Sequence, residues 1–345
     1  MKKMKRIGSF FLASALLASL LAGCGNGDPA PESTENVGST AEENTGAPTI
    51  SIVFKTTSNE YTQYMMAGAN KAADELGVTL EMKGATSETA YDEQQNMIET
   101  DLNAGKYDAM IIAPLQGEMV STLVSGTSMP IFAIDTDFEA EEKISFIGIG
   151  QADAAASGGE AAVAAAEAAG WTDISAAYIA GVQGDSTAEA RKTGFQKGIE
   201  DAGGTFLVDE IQYADAVADK AAVSMEAIMQ NHPEGVAIIC CHNDDCAIAA
   251  ARTAEGNPAY ENTIFVGFDG NITAAESILD GGETITVAQS GYDQGYQAVK
   301  TVVAYLNGEE VKSFVDCGTQ VIDAESAQAY LDELEAQMEG ADTAA

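Results

Sequence analysis

Residues 49–82 read TISIVFKTTSNEYTQYMMAGANKAADELGVTLEM, and their pattern decides the fold. Thr49–Phe54 is a short run of β-branched and apolar residues. Tyr64, Met65, Ala69, Ala72, Ala73 and Leu76 then recur at helical spacing over 61–76, and Gly77 supplies the C-terminal stop. Val78–Met82 reads as strand again, which completes a strand-helix-strand unit. The same grammar extends outward. Tyr91–Ala104 predicts a helix and Asp108–Ala113 a strand that ends at Pro114, with further strands over 130–134 and 144–149. Strands over 174–180, 205–212, 236–241, 263–268 and 284–288 alternate with helices over 188–201, 217–230, 247–255, 274–280 and 292–306, and 325–338 predicts a terminal helix. Short apolar runs between amphipathic helices predict an α/β fold with doubly wound parallel sheets. A folded part of about 290 residues suits one large domain or two lobes with separate cores.

The first 48 residues read differently. Lys2, Lys3, Lys5 and Arg6 precede an uncharged, mostly apolar run, Ile7–Leu21, that is too short to span a bilayer. It closes on Leu21-Ala22-Gly23-Cys24, which resembles a bacterial lipobox. Residues 1–23 are therefore expected to be a lipoprotein signal peptide. Cleavage would leave a lipidated Cys24 that holds the protein outside the cytoplasmic membrane. From 24 to 48 the chain is polar, acidic and free of basic residues, the composition of a disordered tether. The last residues, 339–345, are expected to fray.

Charge and cysteine content exclude several classes. The formal net charge is -38; removing residues 1–23 takes away four basic and no acidic side chains and leaves -42. Such a field repels phosphates, so nucleic acid is not an expected partner. Cys240, Cys241, Cys246 and Cys317 are too few for a disulfide framework. Cys240 and Cys241 are neighbours on a predicted strand and point to opposite faces, so they cannot easily ligate one metal ion. No Gly-x-Ser-x-Gly, His-Glu-x-x-His or phosphate-loop motif occurs. Neither an enzyme nor a cofactor is expected.

In wound parallel sheets, ligands sit beyond the carboxyl ends of the strands. There the sequence places Lys55, Asn59 and Tyr61; Asp135, Thr136 and Asp137; Arg191; His242, Asn243 and Asp244; Asp269; and Gln289. Carboxylates accept and Lys, Arg and amide groups donate, so together they suit a polyhydroxylated ligand. Lys55, Arg191, Asp135 and Asp269 sum to zero charge, which suits a neutral one. Each residue has a plainer role open to it. Asn59 suits a helix N-cap, Asn243-Asp244 and Asp269-Gly270 suit capped turns, and Arg191 could be a solvated helix charge.

Seven segments carry a resemblance, in order: 55–61 (KTTSNEY), 112–115 (IAPL), Ile134-Asp135, 191–195 (RKTGF), Asn243-Asp244, 266–270 (VGFDG) and 287–289 (VAQ). Over about Thr49–Gly318 the chain resembles the ribose- and allose-type sugar-binding proteins of ABC importers. That resemblance implies a type 1 periplasmic-binding-protein fold: two lobes closing like a flytrap over a three-crossing hinge near Gly150, Gln289 and 314–317. The lobes would be 49–150 plus 290–315, and 151–289 plus 316–338. Carried over residue by residue, it implies Lys55, Asn59, Tyr61, Asp135, Arg191, Asn243, Asp269 and Gln289 as ligand contacts. Thr62 and Ala216 stand where the family has ring-stacking aromatics, Glu60 where it has proline, and Thr136 where ribose binders have arginine. These departures suit a larger, differently shaped or less hydrophobic ligand than a sandwiched pyranose.

The expectation is a monomeric, lipid-anchored, extracytoplasmic solute-binding protein that delivers a neutral sugar or polyol to an ABC permease. Two other readings stay open: a receptor for a sugar-like signal that feeds a sensor, and a glycoside hydrolase using Asp135 and Asp269.

Overall fold

A computed structural model describes residues 46–342. The expected signal peptide, Cys24 and most of the acidic tether lie outside the described residues. The first half alternates β1 (Thr49–Thr56), α1 (Glu60–Leu76), β2 (Thr79–Ala85), α2 (Tyr91–Ala104), β3 (Ala109–Ile112), α3 (Gly117–Val124), β4 (Ile131–Ile134) and β5 (Lys143–Gly148). Next come α4 (Gln151–Ala168), β6 (Ser175–Ala180), α5 (Ser186–Asp201), β7 (Thr205–Tyr213), α6 (Ala218–Asn231), β8 (Ile238–Cys241), α7 (Asp244–Ala254), β9 (Ile264–Asp269), α8 (Ile272–Leu279) and β10 (Ile285–Gln289). The chain ends with α9 (Gly291–Leu306), β11 (Phe314–Asp316), β12 (Thr319–Ile322) and α10 (Ala327–Asp342).

The strands form two six-stranded sheets, β11-β5-β4-β3-β1-β2 and β12-β10-β9-β8-β6-β7. All pairings are parallel except β10 with β12. The strand residues are apolar on both faces because helices cover both. On β1, Ile50, Ile52 and Phe54 pack beneath α1 and α9, whereas Val53 joins Met110 and Ile112 beneath α2 and α3. On β8, Ile238 and Cys240 face α4 and α5, whereas Ile239 and Cys241 face α6 and α7. The two neighbouring cysteines thus sit in separate cores as free thiols.

Because β5 and β11 lie in the first sheet and β10 and β12 in the second, the chain passes between lobes three times: at Gly148–Gln151, Gln289–Gly291 and Asp316–Thr319. The final helix α10 packs on both lobes, on α8 and on α1. Ala327 joins the core with Ala288 and Ile322, while Leu334 joins the core under α1. Two helix pairs meet backbone to backbone. A Cβ on Gly295 of α9 would fall 1.9 Å from the Met65 carbonyl oxygen of α1, and one on Gly198 of α5 would fall 2.0 Å from that of Ala156 on α4. Only glycine permits such approach.

Candidate functional site

The polar residues expected after the strands converge because parallel strands deliver their carboxyl ends to one edge of each sheet, and the two edges face each other. Between them lies a cavity of about 40 Å³, room for roughly three waters. Its walls include Lys55, Asn59, Tyr61 and Asp135 from the first lobe and Arg191, Asn243 and Asp269 from the second. Gln289 does not reach the cavity wall. It lies behind, where its Nε2 donates to Asp269 Oδ1 at 2.8 Å.

Arg191 is the best-fixed member. It is 3% exposed. Its Nε donates to Gln151 Oε1 at 2.8 Å and its Nη1 to the His242 carbonyl at 2.8 Å. Nη2 lies 3.2 Å from Asp269 Oδ1, and the guanidinium lies 3.8 Å from the Phe268 ring centroid. Lys55 spans the lobes, with Nζ 3.9 Å from Asp135 and 3.6 Å from Asp185, the N-cap of α5. Burial pulls the Lys55 ammonium down, but Asp185, Glu88 and Asp135 together hold it above its ordinary pKa. Thr136 meets Thr187 of the other lobe at 2.8 Å.

Two carboxylates sit on strained backbone. Asp135 has φ 63° and Asp269 φ 114°. A non-glycine residue there costs about 1–3 kcal/mol, and such strain clusters at functional sites. The two asparagines do double duty. Asn59 Oδ1 caps α1 by accepting from the Thr62 N–H at 2.7 Å, and Asn243 Oδ1 caps α7 through the Cys246 N–H at 3.1 Å. The plainer capping roles are therefore real, yet both amides still border the cavity.

The sequence reading passed over Glu88, Thr187, Asp245 and Asn271, which also line the cavity. Glu88 and Thr187 follow β2 and β6 in the chain, so the rule that found Asp135 would have found them. Their arrival changes the charge of the cleft. The four residues first considered balance, but Glu88 and Asp245 add two carboxylates without a cation. Burial raises both carboxyl pKa values, against the pull of Lys55 at Glu88 and with the push of Glu60 at Asp245. Burial likewise raises Asp269 to about 7, although Arg191 and Gln289 hold it back. His242 is pushed down by burial, Arg191 and Lys55, and stays neutral.

Beneath the cleft, Asp244 is fully buried and braces the loop that carries Asp269. Its Oδ2 accepts from the Gly270 and Asn271 N–H groups at 2.9 and 2.8 Å, and its Oδ1 from Thr286 Oγ1 at 2.6 Å. Glu283, 1% exposed, packs beside it under Gly267. Burial raises both carboxyls well above their ordinary range, with repulsion from Asp269 adding at Asp244 and repulsion from Asp244 adding at Glu283.

These raised values fix a pH dependence. A carboxyl that holds its proton more tightly when folded stabilises the fold fully below its unfolded pKa, and that stability is lost as pH rises through the folded value. For Asp269 the window runs from 3.8 to about 7. His242 acts oppositely below 6.5, with one proton. Against it stand Asp244, Glu283, Asp269, Glu88 and Asp245. The ligand-free protein should therefore melt at a higher temperature near about pH 5 than near about pH 8. A melting temperature that rises over that interval would contradict this.

A family model described as a periplasmic binding protein domain matches residues 50–310. The chain belongs to that family. It is 28% identical over 268 residues to the ribose import binding protein RbsB of Escherichia coli K12, covering 77% of this chain and 87% of the relative. It is also 28% identical to the D-allose-binding periplasmic protein of the same strain, covering 74% and 84%. A carbohydrate transporter solute binding protein from Agrobacterium radiobacter, solved with D-arabinose, superposes with a TM-score of 0.77 at 26% identity over 84% of this chain and 99% of that one. The two parallel-sheet lobes and their three-strand hinge are those of this family. Among the described residues no helix is long and apolar enough to cross a membrane.

Proposed function

We propose that the protein captures a small polyhydroxylated solute of the sugar or polyol class between its lobes and hands it to the permease of an ABC importer. One observation carries this. Seven of the eight side chains proposed as ligand contacts meet in one polar cavity between the lobes, while the Tyr61 hydroxyl is buried there without a hydrogen-bond partner. A buried polar atom without a partner is costly, and a ligand hydroxyl supplies one. The small cavity argues against an oligosaccharide, and a monosaccharide, being larger than roughly three waters, requires the lobes to part further. The names of the relatives, import binding proteins, favour the importer over a sensor. The geometry lends the hydrolase reading no support, since Asp269 is committed to Arg191 and Gln289. On this reading the protein works outside the cytoplasmic membrane, tethered through lipidated Cys24, and Gln289 acts by orienting Asp269. Ligand stabilises the closed form only to the extent that it binds closed better than open.

Tyr61→Phe tests the site. Removing a hydroxyl that bonds to nothing leaves the empty protein at least as stable. Its affinity for the solute should fall about three- to tenfold, the worth of one neutral hydrogen bond. Calorimetry with the solute found by screening reads this directly, and unchanged affinity would remove Tyr61 from the contact set.

A further inference from the structure

The cavity holds more negative charge than its own cations offset. Glu88, Asp135, Asp245 and Asp269 line it against Lys55 and Arg191, and Asp185 takes part of Lys55 from the side. Asp135 and Asp269 each face a cation. Glu88 and Asp245 form neither an ion pair nor a hydrogen bond with any described residue, although Glu88 shares the attraction of Lys55 with Asp185 and Asp135. They come from opposite lobes, Glu88 from the β2–α2 loop and Asp245 from the first turn of α7. His242 adds no compensating charge, since burial beside two cations keeps it neutral.

The same wall contains three orphaned polar atoms: Tyr61 Oη, His242 Nδ1 and Asn271 Oδ1. Their residues are 6%, 5% and 3% exposed, so water does not serve them freely. Hydroxyls on a ligand would satisfy these three. Glu88 and Asp245 are half-buried; a hydroxyl cannot neutralise such a carboxylate, whereas an ammonium can, through a short charge-assisted hydrogen bond. The net charge of -38 would also concentrate a cationic solute near the cleft.

We infer that the solute carries a protonated amine on its polyhydroxylated frame, and that Glu88 and Asp245 receive the ammonium while Tyr61, His242 and Asn271 bind the hydroxyls. This rests on the sugar or polyol reading above and narrows it to amino sugars and amino polyols. Arg191 and Lys55, held by Asp269, Asp135 and Asp185, are left to the remaining hydroxyls.

The test is calorimetry on the intact protein with matched sets. D-glucosamine, D-galactosamine, D-mannosamine and 1-amino-1-deoxy-D-sorbitol are each compared with the parent hydroxyl compound and the N-acetyl derivative, which keeps the bulk and removes the charge. At least one amine should bind about tenfold or more tighter than both of its partners. Glu88→Gln and Asp245→Asn should each reduce that preference, and the double variant should abolish it, so that the amine and its hydroxyl parent bind alike. Asp245 makes no hydrogen bond or ion pair with any described residue and Glu88 has only a longer-range attraction to Lys55, so both variants should fold, and melting curves will verify this. If neutral parents bind as tightly as or more tightly than every amine, the inference is overturned and the sugar reading stands. If neither amines nor neutral compounds bind, both are overturned. An amine preference unmoved by both substitutions would also overturn the assignment to Glu88 and Asp245.

Discussion

Arg191→Ala is expected to lower the stability of the protein by about 3–5 kcal/mol, because it strands the buried Asp269 carboxylate without its cation. The sequence left Arg191 open as a ligand contact or a solvated helix charge. The structure shows a guanidinium tied at 2.8 Å to Gln151 and to the His242 carbonyl and stacked on Phe268, so its loss also opens packing. Urea unfolding followed through Trp171, the sole tryptophan and a resident of the same lobe, reads the loss. Affinity for the solute should fall about ten- to a hundredfold in the molecules that remain folded. Arg191→Lys should recover part of the stability but little of the binding, since an ammonium cannot reproduce the planar fork. A stability change below about 1 kcal/mol would mean that Asp269 finds its proton or partner elsewhere.

Asp244→Ala should be nearly as damaging, although Asp244 lies beneath the cavity and does not line it. It leaves the buried Asn271 N–H without an acceptor, at about 1–3 kcal/mol, and the Gly270 N–H with only Thr286 Oγ1 at 3.2 Å. The same loop holds Asp269 at φ 114°, so losing its brace should also weaken binding. Asp244→Asn separates the two roles. Its amide oxygen still accepts from both N–H groups, and its NH2 can donate to Glu283. This variant should keep most of the stability and flatten part of the acid-side gain in melting temperature. Equal damage from alanine and asparagine would show that charge, not hydrogen-bond acceptance, holds the loop.

How much was legible depended on contrast in the sequence. Strands such as Ile131–Ile134 and residues 264–268 of β9 stand out because both faces are buried and every residue is apolar or glycine. Their carboxyl ends then pointed to Asp135 and Asp269 without knowledge of contacts. Helix α4 escaped because its buried face is alanine and glycine, which lack the contrast that marks a periodic stripe. That composition is what lets α5 approach until Gly198 touches the Ala156 carbonyl. Strands β11 and β12 are short and largely exposed, and they exist because the hinge holds them against β5 and β10. Helix α3 has only Val120 and Val124 buried. At the site, Asn59 and Asn243 carried two readings, cap and contact, and the structure permits both at once. Glu88 and Asp245 were missed because a zero charge sum over four residues looked complete. Only folding shows which carboxylates of a highly acidic chain face inward.

The central claim is that the cavity between the lobes binds a small polyhydroxylated solute. Calorimetric titration of the intact protein with a panel of pentoses, hexoses, polyols and amino sugars tests it most directly. The expected result is saturable one-to-one binding of at least one member, weakened by Tyr61→Phe without loss of stability. Submicromolar binding of an amino acid or a sugar phosphate, with no heat from any member of the panel, would contradict it.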